Sequence, residues 1–147
     1  MLVKNVMRSE IVQIHPQATL EQAARMMVHW RVNSLFVMEG GVLLGMIGVR
    51  DLFTAPLPAS YASRMTEGRS EAQLLEVWRS CIVANQMNDQ PLTVGEELTL
   101  NQAVALMVNS GKHPLPVLRE GRVVGVIDRL DAAKAVAMLE LDVREQQ

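Results

Sequence analysis

The chain has 147 residues, 49% of them apolar, 20% charged and 3% aromatic, with a formal net charge of −2. That length suits one domain or two small halves sharing a core, and the composition excludes disorder, a collagen-like fibre and, with Cys81 as the single cysteine, a disulfide scaffold. Charges of both signs are interspersed without a basic or aromatic stripe, which argues against nucleic-acid and membrane surfaces, and no apolar run approaches the ~18 residues of a membrane span.

In chain order, Ile11-Val12-Gln13-Ile14 is a short β-prone run. Thr19-Leu-Glu-Gln22 reads as a capping box, in which the threonine oxygen accepts from the third helical amide and the glutamine reaches back to the threonine amide. It opens a helix whose Leu20, Ala23, Ala24 and Met27 share one face. Leu35–Met38 and Leu43–Ile47 flank Glu39-Gly40-Gly41, where glycine permits the positive φ of a tight hairpin. A further helix begins near Val49 and is cut by Pro56 and Pro58. Ser70-Glu-Ala-Gln73 caps a linker helix with Leu74, Val77, Trp78 and Cys81 on one face. Leu92-Thr93-Val94, the capping box Thr99–Gln102, the face Leu100, Ala103, Val104 and Met107, and the hairpin Leu115–Leu118 with Val123–Ile127 around Arg119-Glu120-Gly121 repeat the first series. An uninterrupted helix from about Arg129 to Leu141 closes it.

The second series is a copy of the first. Shifted by 80, residues 2–52 lie on 82–132 without a gap, with 15 identities in 51 positions, among them Val3/Val83, Asn5/Asn85, Met7/Met87, Gly45/Gly125 and Asp51/Asp131. Composition alone would give roughly one match in fifteen to twenty. Each copy reads strand, helix, strand, strand, helix. The hairpin strands are continuous apolar runs, so both faces of each sheet should be covered. A unit of about fifty residues can hardly do this alone, which predicts that the copies pack on each other.

The order of elements, the Val-x-Asn-x-Met lead-in and the two Gly-x-Ile-x-x-x-Asp endings resemble a tandem cystathionine-β-synthase (CBS) domain pair, the Bateman module. The resemblance covers residues 2–141. It implies an α+β fold of two βαββα repeats related by pseudo-twofold symmetry: a first repeat over 1–55, a linker with a helix over 56–80 and a second repeat over 81–147. It also implies a stand-alone, energy-sensing type of regulatory module that binds adenosine-containing ligands, such as AMP, ADP, ATP or S-adenosylmethionine, in clefts between repeats. Occupancy would be signalled to an unidentified regulated protein.

By resemblance, Asp51 and Asp131 bind ribose hydroxyls. The position three residues earlier, usually Thr or Ser facing a phosphate, is Gly48 in one copy and Asp128 in the other. The residue before the aspartate is Arg50 or Leu130, and the residue entering the second strand is Asn33 or His113. Asp51 would face Thr93 and Lys112 of the other repeat, and Asp131 would face Gln13 and Val32. The first cleft then holds Arg50 and Lys112 against one carboxylate. The second holds Asp128 and Asp131 with only His113 beside them. Like-charge repulsion therefore predicts phosphate in the first cleft only.

A plainer role is open for the same groups. Positions 48 and 128 fall at helix N-caps, so Asp51 and Asp131 would also stabilise helix N-termini by roughly 0.3–1 kcal/mol each. Asp128 is itself a strong N-cap. The missing Thr or Ser at Gly48 and Asp128 favours the alternative of a structural or dimerisation protein with degenerate clefts.

The ten methionines read as core and interface filler. Neither Cys-x-x-Cys nor His-x-x-x-His spacing occurs, and no nucleophile has an evident base. No catalytic residue, metal site or required cofactor is predicted. The start Met-Leu-Val-Lys-Asn lacks a basic stretch followed by an apolar one, and with one cysteine this predicts a cytoplasmic protein. Ala132, Ala133, Val136, Ala137, Leu139 and Leu141 spread around the last helix, which predicts a homodimer with Ala133, Val136, Ala137 and the first helices of each repeat near the seam.

Overall fold

The structure is a computed structural model and describes residues 1–54 and 70–145. Pro56 and Pro58 lie outside the described residues, as do the side chains of Leu74, Leu139 and Leu141. The chain forms two compact units, Val12–Gln90 and Met1–Ile11 with Pro91–Gln147. Each unit carries a three-stranded sheet beside helices, an α+β arrangement.

In the first unit β1 (Gln13–Ile14) runs parallel to β2 (Ser34–Glu39), which pairs antiparallel with β3 (Val42–Gly48). Helix α1 (Leu20–Trp30) follows β1, α2 (Val49–Thr54) follows β3, and α3 (Glu71–Ser80) comes later. The second unit repeats this as β4 (Val94–Gly95), α4 (Leu100–Ser110), β5 (Leu115–Arg119), β6 (Arg122–Ile127) and α5 (Arg129–Glu145). The first strands are shorter than their apolar runs. Each has a single parallel neighbour, and the ladder Gln13↔Phe36, Ile14↔Val37 leaves Ile11 and Val12 before the strand, just as Leu92 and Thr93 precede β4.

All three capping boxes form, with Thr19, Ser70 and Thr99 each accepting from the glutamine amide three residues on. The hairpins close through Gly40-Gly41 and Glu120-Gly121, all four residues at positive φ, which matches the twist of the flanking strands. Leu20, Ala23 and Met27 of α1 and Leu100, Ala103 and Met107 of α4 are buried. Leu35, Phe36 and Val37 are buried in succession, as are Leu115, Pro116 and Val117, so both faces of β2 and β5 are covered. Trp78 packs on the first core and its Nε1 donates to the Leu52 carbonyl at 2.8 Å, which fixes α3. Cys81 sits one residue past α3 and is only half-buried, its thiol 3.3 Å from the Val77 carbonyl.

The units cut across the repeats. The lead-in of the second copy belongs to the first unit: Val83 is fully buried there, its amide donating to the Ala18 carbonyl at 2.8 Å. The lead-in of the first copy belongs to the second unit, where Val3 is fully buried and donates to Leu98 at 2.8 Å. Beyond each buried valine the lead-in lies along the last strand of its unit. Asn88 exchanges both backbone hydrogen bonds with Met46, and Arg8 does the same with Val126. Two identities of the repeat are explained by this approach. A Cβ on Gly45 would stand 2.5 Å from the Asn88 carbonyl oxygen and 2.9 Å from Met87 Sδ. On Gly125 it would stand 2.6 Å from the Arg8 oxygen and 2.9 Å from Met7 Sδ. The backbones touch where a side chain would be, and only glycine fits.

Candidate functional site

In the first unit β3 ends at Gly48, which stands immediately before α2, so Asp51 is the third helical residue. Its Oδ2 accepts from the Gly48 amide at 2.7 Å, and the Val49 amide donates to the Asn33 carbonyl at 2.9 Å. Asn33, Gly48 and Asp51 are thereby drawn together, with Asn33 exposed and Asp51 half-buried. Among the described residues no cation pairs with Asp51. Arg50 is exposed beside it, Val32 follows the end of α1, and Gln13 is the exposed residue of β1.

The second unit has the same scaffold with a different outcome. Asp128 precedes α5, its Oδ1 accepts from the Arg129 amide at 2.7 Å, and Asp131 Oδ2 accepts from the Asp128 amide at 2.8 Å. The N-terminal roles read from the sequence are therefore filled by both Asp51 and Asp131, and Asp128 also bonds its own helix. His113 Nδ1 lies 3.6 Å from Asp128 Oδ1. Thr93, half-buried just before β4, and exposed Lys112 belong to this unit, and Asp51 to the other.

Sequence reasoning missed Arg8. Its Nε donates to Asp131 at 2.9 Å (Oδ1) and 3.1 Å (Oδ2), and Asp131 is 8% exposed. The charge count around Asp131 therefore changes: the Arg8 guanidinium compensates a carboxylate that has only His113 beside it in the sequence reading. Arg8 also lines a cavity of about 420 Å³ with Asn5, Asp131, Lys134 and Met138. The available signal was the Arg8/Asn88 difference between two copies whose lead-ins otherwise agree at Val, Asn and Met. It could be interpreted only once the lead-in was placed against the other repeat's body. Among the described residues no group of three metal-binding side chains occurs, and no helix is long and apolar enough to cross a membrane.

The family model described as CBS domain matches residues 3–57 and 81–138, both copies of the repeat. The chain belongs to the CBS domain family. As a CBS pair it is 28% identical over 133 residues to the CBS domain-containing protein YhcV of Bacillus subtilis, covering 89% of this chain and 82% of that protein. It is 27% identical over 130 residues to an uncharacterized 33.4 kDa protein in a ribosomal RNA operon of Thermofilum pendens. That match takes in 88% of this chain but spans only 41% of the relative's length. Among solved structures, CBSX2 in complex with AMP superposes with a TM-score of 0.75 at 21% identity, covering 93% of this chain and 97% of CBSX2, a likeness of fold.

Proposed function

We propose that this CBS pair is a regulatory module that binds an adenosine-containing ligand, such as AMP, ADP, ATP or an S-adenosylmethionine-like molecule, at Asp51 and passes its occupancy to a partner protein. The observation that carries the reading is the state of the Asp51 carboxylate. Gly48 holds one oxygen at 2.7 Å, and among the described residues no cation takes the other. A carboxylate fixed at one oxygen can accept from a ribose diol through the other. Arg50, exposed next to it, supplies a charge for a phosphate. The fold relative crystallised with AMP supports the ligand class. No catalytic step is assigned to the chain. A ligand would shift the module only by its differential affinity for two states, so regulation requires contacts that differ between them.

Calorimetry with AMP on the parent and Asp51→Asn tests the site. A hydrogen bond to a charged group contributes about 1.5–3 kcal/mol, so the neutral amide should weaken AMP roughly ten- to a hundredfold while the far-UV circular dichroism is unchanged. Equal affinity in the two proteins would refute the assignment.

A further inference from the structure

We propose that Arg8 is a built-in stopper on Asp131, which keeps the second unit from taking a nucleoside and makes this CBS pair a one-site module. The proposal rests on the reading of Asp51 as a ribose-binding carboxylate and assigns the opposite state to its counterpart. The two units are an internal control. In each, a residue of the lead-in exchanges two backbone hydrogen bonds with the last strand, Arg8 with Val126 and Asn88 with Met46, at 2.9–3.0 Å. In each, the aspartate at the third position of the following helix accepts from the amide three residues before it, at 2.7 or 2.8 Å. Backbone and carboxylate are alike, and the lead-in side chain differs.

Arg8 reaches the carboxylate and takes both oxygens through Nε. Asn88 is uncharged and shorter, and its Oδ1 accepts instead from the Gln90 amide at 3.1 Å. With the Asp128 amide on Oδ2 as well, Asp131 has three hydrogen bonds among the described residues and is nearly buried, whereas Asp51 has one among them and is half-buried. A diol could reach Asp131 only by displacing a charge-assisted pair, a stronger interaction than a neutral hydroxyl offers. The guanidinium is itself half-exposed and anchored through its backbone, so removing it opens the carboxylate without emptying a core.

A reciprocal swap tests this, with AMP as probe and the full chain as protein. Calorimetric stoichiometry should rise from one AMP per chain in the parent to two in Arg8→Asn, and the added site should vanish when Asp131→Asn is combined with it. Asn88→Arg should remove the parent's single site. The double swap should again bind one AMP, now sensitive to Asp131→Asn and indifferent to Asp51→Asn. A folded Arg8→Asn protein that binds no more AMP than the parent overturns the stopper, whether the parent binds one or none. Loss of a parent site in Arg8→Asn also overturns it and makes Arg8 a ligand-holding residue. Should Arg8→Asn not fold, undiminished binding by Asn88→Arg overturns the proposal. A parent that binds no AMP, with one site gained in Arg8→Asn, sinks the Asp51 reading and leaves the stopper standing.

Discussion

Replacing Gly125 with alanine should loosen the N-terminal lead-in from β6, and the structure sets the size of the effect. The new Cβ would lie 2.6 Å from the Arg8 carbonyl oxygen and 2.9 Å from Met7 Sδ. The sulfur is on a flexible side chain and can turn away. The oxygen cannot, because Arg8 and Val126 hold each other by two backbone hydrogen bonds of 2.9 Å. Overpacking a tight site costs about 1–3 kcal/mol. If the lead-in lifts instead, the two lost bonds cost about 0.5–1.5 kcal/mol each. Both routes converge on a loss of about 1–3 kcal/mol, which for a chain of this size is a fall in Tm of roughly 2–12 °C. Gly95→Ala is the control: nothing lies within 4 Å of its added Cβ and its φ is not positive, so its stability should stay within about 0.5 kcal/mol of the parent. Urea and thermal unfolding of the three proteins side by side measure this. A Gly125→Ala protein as stable as Gly95→Ala would refute the close-approach argument.

Arg119 should make stability depend on acid. It bonds Glu96 through Nε at 2.6 Å and Nη2 at 2.7 Å, and this holds the Glu96 carboxyl below the ordinary carboxylate range. A folded-state pKa below the unfolded value gives stability that is present above the unfolded value and lost as pH falls through the folded one. The stability gap between the parent and Arg119→Ala should therefore close as pH drops below about 4, read as urea midpoints between pH 7 and 3; a constant gap would count against it. The last helix should also pair with a second chain. Leu130, Val136 and Met138 of α5 are 64%, 53% and 63% exposed, so light scattering should give twice the 16.3 kDa chain mass and Val136→Glu should lower it. A stable monomer of the parent at micromolar concentration would refute the pairing.

The sequence alone determined the duplication, the element order, the capping boxes, the hairpin turns and the positions of Asp51 and Asp131 at the third residue of a helix. These features follow from local rules. A helix face repeats every three or four residues, a cap is satisfied within four, and a two-residue turn needs positive φ inside itself. Each could be read from a short window, and the offset of 80 let each window be read twice. The short extents of β1 and β4 were not local in this sense, because a strand ends where its neighbour stops pairing, and that neighbour is some twenty residues away in sequence.

Only the tertiary structure decided where the lead-ins go, and with them the character of the two aspartates. Val3 and Val83 look like the first residues of their own repeats, yet each is buried in the core built on the other repeat's body. Glycines 45 and 125 look like strand glycines without a purpose until the carbonyls of Asn88 and Arg8 are found against them. Arg8 lies 123 residues from Asp131, so no window joins them and a charge count by repeat leaves the pair out. The physical reason is that a salt bridge depends on distance in space, and the chain sets that distance only after the lead-in has been laid along β6 by backbone hydrogen bonds that any residue at position 8 other than proline could make.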